Sequence, residues 1–522
     1  MARTLHDLLA SAAKKYPNHI ALIDQGSVLT YAELYSRSAV LAQELVAAGI
    51  NVGTPVGLSL PKSPDAVIAV YGIMMAGACY VPIDPSAPVS RAVGIAENVE
   101  LSAIVTTTDR LGTLVKAIAV ARGPIVAFTP TEPPDTLDFD SDARYWYSDK
   151  ADNCRLPDSD GSWLAYILHT SGSTGLPKGV AISHENSLAF VDTVAEYFAV
   201  NSADRLCSQA PLHFDLSVFD LYVACRQGAA IVLIPEYYSA FPKKMAEAVE
   251  KYEITVWNSV VSALTLMMES GKPEQARMSS VRVVLFSGET MPIKYLRMLR
   301  THMPNAELFN GYGQTEANTS TCYRIDKIPD NDDWRIPIGK PFPGFEVFAM
   351  DSAGKLIDEA EVEGELYVRA GTVAQGYWNN PQATAERFVR DPRAPDDEAL
   401  VYRTGDRVRL DNNGDYLFVG RVDNMIKSRG HRIELGDVDQ ALLSCPDVAA
   451  AAAVAIPDPV IGNRILAFVS AATDCQPDEA SILAHCKPQL PAYMLPETVQ
   501  IRTDLPRTST GKVDRRLLAE SL

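Results

Sequence analysis

The sequence predicts an α/β protein: a large N-terminal body of mixed and parallel sheets with flanking helices, followed by a small α+β C-terminal lid. Three observations carry this. The chain has 522 residues with 47% apolar content, more than one hydrophobic core needs. Strand-like and helix-like segments alternate over most of its length. Near Gly420 that alternation gives way to a compact tail of about 100 residues, the size of a small independent domain.

The N-terminal "LHDLLASAA" places Leu5, Leu8, Leu9 and Ala12 on one helical face and lacks a secretory apolar core. The run "AVIAVYGIMMAGACYVPI" is shorter than the roughly 20 residues needed to span a bilayer. It reads as a buried helix, a glycine break and a strand. "TPVGLSL", "LSAIVTT", "AAIVLI" and "VRVVLFSG" read as strands, and "KKMAEAVEKY" and "IKYLRMLRTH" as helices. Shorter strands follow in "GELYVRAG", "VRLDNNGDYLFVG" and "HRIELGDVDQALL", and "DNNGD" at 411–415 marks a hairpin turn. The tail then holds a helix, strands at "VAAAAAVAI" and "RILAFVSAA", and a helix from Pro477.

The formal net charge of −18 argues against a nucleic-acid binder. The eight cysteines form no CxxC pair and no zinc-like cluster with histidine, so reduced thiols in a cytoplasmic enzyme, with no membrane partner, are expected.

"LHTSGSTGLPKGV" (168–180) carries the first chemical signal. Backbone N–H groups and hydroxyls in a glycine-rich turn satisfy phosphate oxygens, and Lys178 adds a point charge. The spacing does not fit G-x-x-x-x-G-K-[ST], which excludes a Walker A loop. "NGYGQTE" (310–316) sets a ring, Tyr312, four residues before a carboxylate, Glu316, able to hold Mg²⁺ beside phosphates. "YRTGD" ends in Asp406, able to accept ribose hydroxyls, and "TGKVDR" isolates Lys512.

These segments, in order with "LTYAEL" (29–34), "MMAGACYVPIDPSAP" (74–88), "FDLS" (214–217), "GELYVRAGTVAQGYW" (364–378), "GRVDNMIKSRGHRIELGDVD" (420–439) and "LPAYMLP" (490–496), cover nearly the whole chain. It resembles the adenylate-forming superfamily of acyl-CoA synthetases, luciferases and amino-acid-activating adenylation domains of nonribosomal peptide synthetases, the last above all. Departures are Gln314 where proline is usual, Gln375 where arginine is common, and "TGK" for "NGK".

The resemblance implies a β-barrel-like subdomain in the body, a core over 1–422, and a mobile lid over 423–522 hinged at Asp423. It implies ATP and Mg²⁺, and two half-reactions: a carboxylate displaces pyrophosphate from ATP, and a phosphopantetheine thiol then displaces AMP. Thr170, Ser171, Gly172, Ser173, Thr174, Gly175 and Lys178 resemble the phosphate loop. Gly288, Glu289, Thr290, Asn310, Gly311 and Tyr312 resemble the adenine side. Thr315 and Glu316 would lie near the α-phosphate and Mg²⁺, Asp406 and Arg421 at the ribose, with Lys427 also on the nucleotide. Lys512 would bridge the substrate carboxylate and the α-phosphate in one lid orientation. In the other, "KSRGHRIE" enters and Gly430 lines the pantetheine channel.

Asp215 matches the aspartate that pairs with an α-ammonium, which argues for an α-amino acid over a fatty or aryl acid, since an unpaired buried carboxylate is costly. The side-chain pocket would comprise Leu216, Phe219, Asn258, Leu285, Ser287, Gly311, Thr319 and Ser320. It has no charged member, which points to a small or medium neutral side chain such as serine, threonine, cysteine or alanine, with proline less favoured. The chain is expected to be free-standing and to load a carrier protein supplied in trans, through basic segments "KSRGHR" and "PRTSTGKVDRR".

Overall fold

The computed structural model describes all residues except 1, 123–124, 132–141, 147–155, 159, 171–176, 333, 395, 397, 423–424, 473–474 and 508–512. Its body is built on two large mixed sheets. The nine-stranded sheet runs in the order Lys340–Pro341, Asn318–Arg324, Glu307–Gln314, Val283–Ser287, Val256–Val260, Arg205–Ser208, Ala230–Leu233, Ile20–Asp24, Ser27–Thr30. Its central neighbours are parallel and its outer pairs antiparallel. The eight-stranded sheet centres on Cys79–Pro82 and Pro55–Ser59 and carries the antiparallel pair Leu164–Thr170 and Lys178–Ser183.

Between them lies the main core. Leu5, Leu8, Leu9 and Ala12 are buried in it, as the helical spacing predicts, and Thr4 closes a capping box on the helix Leu5–Lys15. The longest apolar run folds as predicted: helix Pro64–Met75 is buried on all sides, Gly77 turns the chain at φ +77°, and strand Cys79–Pro82 follows. Two tyrosines reaching into this core have bonded hydroxyls, Tyr31 to the Ala224 and Ala229 carbonyls and Tyr80 to Tyr222. No helix among the described residues is long and apolar enough to cross a membrane.

A five-stranded antiparallel subdomain follows, from Glu346–Met350, Glu363–Arg369, Phe388–Arg390, Leu400–Leu410 and Tyr416–Arg421. Its predicted turn is present: Asp411 N–H donates to Asp415 O across Gly414 at φ +73°. The C-terminal domain has its own core around Ile433, Val438, Phe468 and Val499, over a three-stranded sheet Val448–Asp458, Gly462–Ala471 and Thr498–Arg502. The strand expected in "HRIELGDVDQALL" is His431–Glu434, and the helix expected at the head of the tail is Leu435–Leu443, where Leu435, Val438, Ala441 and Leu442 recur at helical spacing and face that core.

Candidate active site

Parallel strands end together here, where open α/β sheets gather ligand-binding groups. Val260, Ser287 and Gly311 lie at one level in register on three neighbouring strands. The strand Glu307–Gln314 bulges between Tyr312 and Gly313 and turns back at Asn318, which carries Thr315 and Glu316 into the cleft.

Glu316 is fully buried. Its Oε1 accepts from Tyr377 Oη at 2.6 Å, and Arg432 Nη1 reaches both oxygens, at 2.8 and 2.9 Å. Burial alone would push this carboxyl up, but the Arg432 guanidinium holds it below the usual range. Lys178 sits over the Tyr377 ring, 5.7 Å from its centre, and pairs in register with Thr170. Lys178 is thus linked to Glu316 through one aromatic side chain. Ser171, Gly172, Ser173, Thr174 and Gly175 lie outside the described residues, as do Asp423 and Lys512.

Asp406 is the second anionic centre. Its Oδ2 accepts from Tyr312 Oη at 2.5 Å and Gln314 Nε2 at 2.7 Å, and its Oδ1 accepts from Arg421. Asn310 donates to the Pro337 carbonyl at 2.8 Å and so fixes the strand behind Tyr312.

Asp215 lies at the foot of the short helix Leu216–Val218, partly accessible at the bottom of the cleft. Thr315 Oγ1 donates to its Oδ2 at 2.8 Å. Burial raises the Asp215 pKa, opposed by that hydrogen bond and by the charge of Lys427. Lys427 is itself lowered by burial, opposed by the charges of Asp406 and Asp215. Around this floor Phe219, Asn258, Leu285, Ser287 and Ser320 are buried, and Asn258 Nδ2 donates to Leu216 O at 3.5 Å. Gly311 lets Leu285 and Thr319 close in: a Cβ there would stand 3.0 Å from Leu285 and 3.1 Å from Thr319.

The C-terminal domain reaches the cleft through the hairpin Met425–Ser428 and His431–Glu434. Gly430, at φ +78°, donates its N–H to Glu289 Oε1 at 2.8 Å, and a Cβ there would stand 2.5 Å from Val260. Glu289 also accepts from Ser262 N–H at 3.0 Å, so it is engaged with the hairpin; Gly288 before it turns at φ +96°, and Thr290 is exposed. His431 stacks on Tyr493 with ring centres 3.6 Å apart and meets the edge of Phe214 at 4.8 Å. The two basic segments are split: Arg432 lies on Glu316 and Arg515 on Asp439, while Arg429, Arg507 and Arg516 are exposed.

Sequence reasoning gave no role to Arg432, Tyr377 or Gln314. All three stand within quoted motifs. Their signal is the need of a buried carboxylate for donors, which becomes visible only when the fold brings the partners together.

Residues 9–378 match the AMP-binding enzyme family, and residues 437–512 match the AMP-binding enzyme C-terminal domain. The chain belongs to the AMP-binding enzymes. Among related AMP-binding enzymes is an L-proline–[L-prolyl-carrier protein] ligase of Pseudomonas fluorescens, 35% identical over 100% of this chain and 99% of that one. The phenyloxazoline synthase MbtB of Mycobacterium tuberculosis is 32% identical over 98% of this chain, which spans 34% of that protein. The amide bond synthetase McbA of Marinactinospora thermotolerans shares the fold, with a TM-score of 0.87 at 23% identity over 99% of both chains. Adenylate-forming chemistry with ATP is the property of the family.

Proposed function

We propose that this AMP-binding enzyme activates a small or medium neutral α-amino acid as its aminoacyl-AMP and then transfers it to the phosphopantetheine thiol of a carrier protein supplied in trans. Asp215 carries the reading. A carboxylate at the floor of the cleft, raised by burial and neutralised in part by Lys427, is a counter-ion for a substrate ammonium. The full-length similarity to a carrier-protein ligase for L-proline supports an amino-acid substrate and adds proline to those to be tested.

Asp215 would hold the ammonium and Thr315 would fix that carboxylate. Leu216, Phe219, Asn258, Leu285, Ser287, Gly311, Thr319 and Ser320 would surround a side chain without charge. Tyr312 and the Gly288–Thr290 segment would bound the base, and Asp406 the ribose. Thr170, Lys178 and the loop between them would take the pyrophosphate end. Lys512 would neutralise charge as it develops on the α-phosphate. Glu316, a buried carboxylate already satisfied by a cation, has the chemistry to hold Mg²⁺ once Arg432 withdraws. The metal supplies charge neutralisation at the phosphates.

In the present orientation the lid hairpin occupies the cleft. Gly430 on Glu289 and Arg432 on Glu316 suit the thiol-accepting half-reaction, with Asp423 as hinge and the lid beginning there. A swing about that hinge would bring Lys512 in for adenylation.

ATP–pyrophosphate exchange across a panel of amino, aryl and fatty acids tests the proposal. Exchange with a few neutral α-amino acids, proline included, is the expected result. Exchange confined to acids without an α-amine would overturn it in favour of an acyl-CoA or aryl-acid ligase.

A further inference from the structure

The Asp406 carboxylate has four lone-pair positions, and hydrogen bonds among the described residues fill three. Oδ2 takes the Tyr312 hydroxyl and the Gln314 amide, and Oδ1 takes Arg421. One position remains. A ribose presents two vicinal hydroxyl donors, so one of them needs another acceptor.

Gln314 supplies it. The side chain is buried to 7% exposure, and its Nε2 is committed twice, to Asp406 Oδ2 at 2.7 Å and to Tyr312 Oη at 2.5 Å. That triangle fixes the amide: turned over, its oxygen would face a carboxylate. The Oε1 left over is buried and has no hydrogen-bond partner among the described residues. An orphaned buried acceptor costs free energy that a donor removes. Asp406 is itself 3% exposed and is hydrogen-bonded to the same amide group, so a ligand reaching it comes close to Gln314.

We propose that Gln314 is a ribose-binding residue, its Oε1 accepting from one of the two hydroxyls while Asp406 Oδ1 accepts from the other. The proposal rests on the reading of Asp406 as the ribose carboxylate.

The test compares binding of AMP, 2′-deoxy-AMP and 3′-deoxy-AMP to the full chain by calorimetry, in the wild type, Gln314→Met and Asp406→Asn. The wild type is expected to lose about tenfold in affinity with either deoxynucleotide. Gln314→Met is expected to bind AMP about tenfold more weakly, and to lose nothing further with one deoxynucleotide while keeping its penalty for the other. Gln314→Ala repeats the comparison should the methionine variant fail to bind AMP. If both penalties persist in the Gln314 variants while Asp406→Asn reduces one, the proposal falls and the Asp406 reading stands. If Asp406→Asn leaves both penalties unchanged, the two fall together.

Discussion

Arg432 of the C-terminal domain places Nη1 2.8 Å from Oε1 and 2.9 Å from Oε2 of Glu316, a carboxylate of the body with no exposed surface. The pair spans the two domains. Removing one partner of a buried ion pair leaves the other charge uncompensated, at a cost of roughly 3–5 kcal/mol if nothing rearranges. Here the lid can rearrange. Arg432→Ala is therefore expected to release it, with pyrophosphate exchange retained and thioester formation reduced at least about tenfold. Thr265 Oγ1 donates to Val460 O at 2.8 Å across the same interface, so a Thr265→Cys/Val460→Cys pair reports docking. Its cross-linking yield should fall in the Arg432→Ala background. Equal yields would show that the ion pair does not hold the lid.

The same carboxylate gives a metal dependence. If Mg²⁺ takes the place of Arg432 on Glu316, ATP with Mg²⁺ should lower the cross-linking yield of the reporter pair in the otherwise unmodified chain. ATP with EDTA should leave it unchanged.

Asp215→Asn keeps the side-chain volume and removes the charge. The kcat/KM for the amino acid in exchange should fall about 30- to 5,000-fold, the range for deleting one member of a buried charge pair. The unliganded variant should be at least as stable as the parent at neutral pH. Burial raises the Asp215 pKa, so its ionisation disfavours the folded state once pH exceeds the unfolded value, and the asparagine avoids that cost. Thermal unfolding at pH 5 and 7.5 checks the sign: the variant's advantage should grow with pH.

Gly430→Ala should separate the half-reactions. The added methyl would meet Val260 at 2.5 Å at a backbone φ of +78°, which disfavours any side chain. Thioester formation should fall more than tenfold while exchange changes little. Parallel loss of both would place the glycine outside the docking contact.

Acid should loosen the lid. Burial lowers His431 to about 3, reinforced by His213 and Arg429 and opposed by Asp84, with the rings of Tyr493 and Phe214 against it. A base whose folded pKa is depressed stabilises docking fully above its unfolded value near 6.5 and loses that contribution as pH falls toward 3. Cross-linking of the Thr265/Val460 reporter should decline below about pH 6, and His431→Phe should flatten the decline.

Much of this is legible in the chain. Helical and strand periods locate the Leu5–Lys15 helix, the Pro64–Met75 helix and the Cys79–Pro82 strand, because each buries an apolar face that alternation exposes to reading. Phosphate-loop and carboxylate motifs locate Lys178, Glu316 and Asp406 by resemblance. What stays hidden is pairing over distance. Arg432 and Glu316 lie 116 positions apart, and Gln314 and Asp406 92 apart. A local pattern records the kind of side chain a position carries, whereas the partner is chosen by packing.

In His431–Glu434, neighbouring side chains point opposite ways: Ile433 is fully buried in the lid's own core, and Arg432 beside it enters the cleft. A single inserted or deleted residue in that hairpin would send the cation into the lid's interior and the aliphatic side chain onto Glu316. Length changes there would undo both burials at once, while the turn at Asp411–Asp415 in the neighbouring subdomain carries no such twofold tie to register.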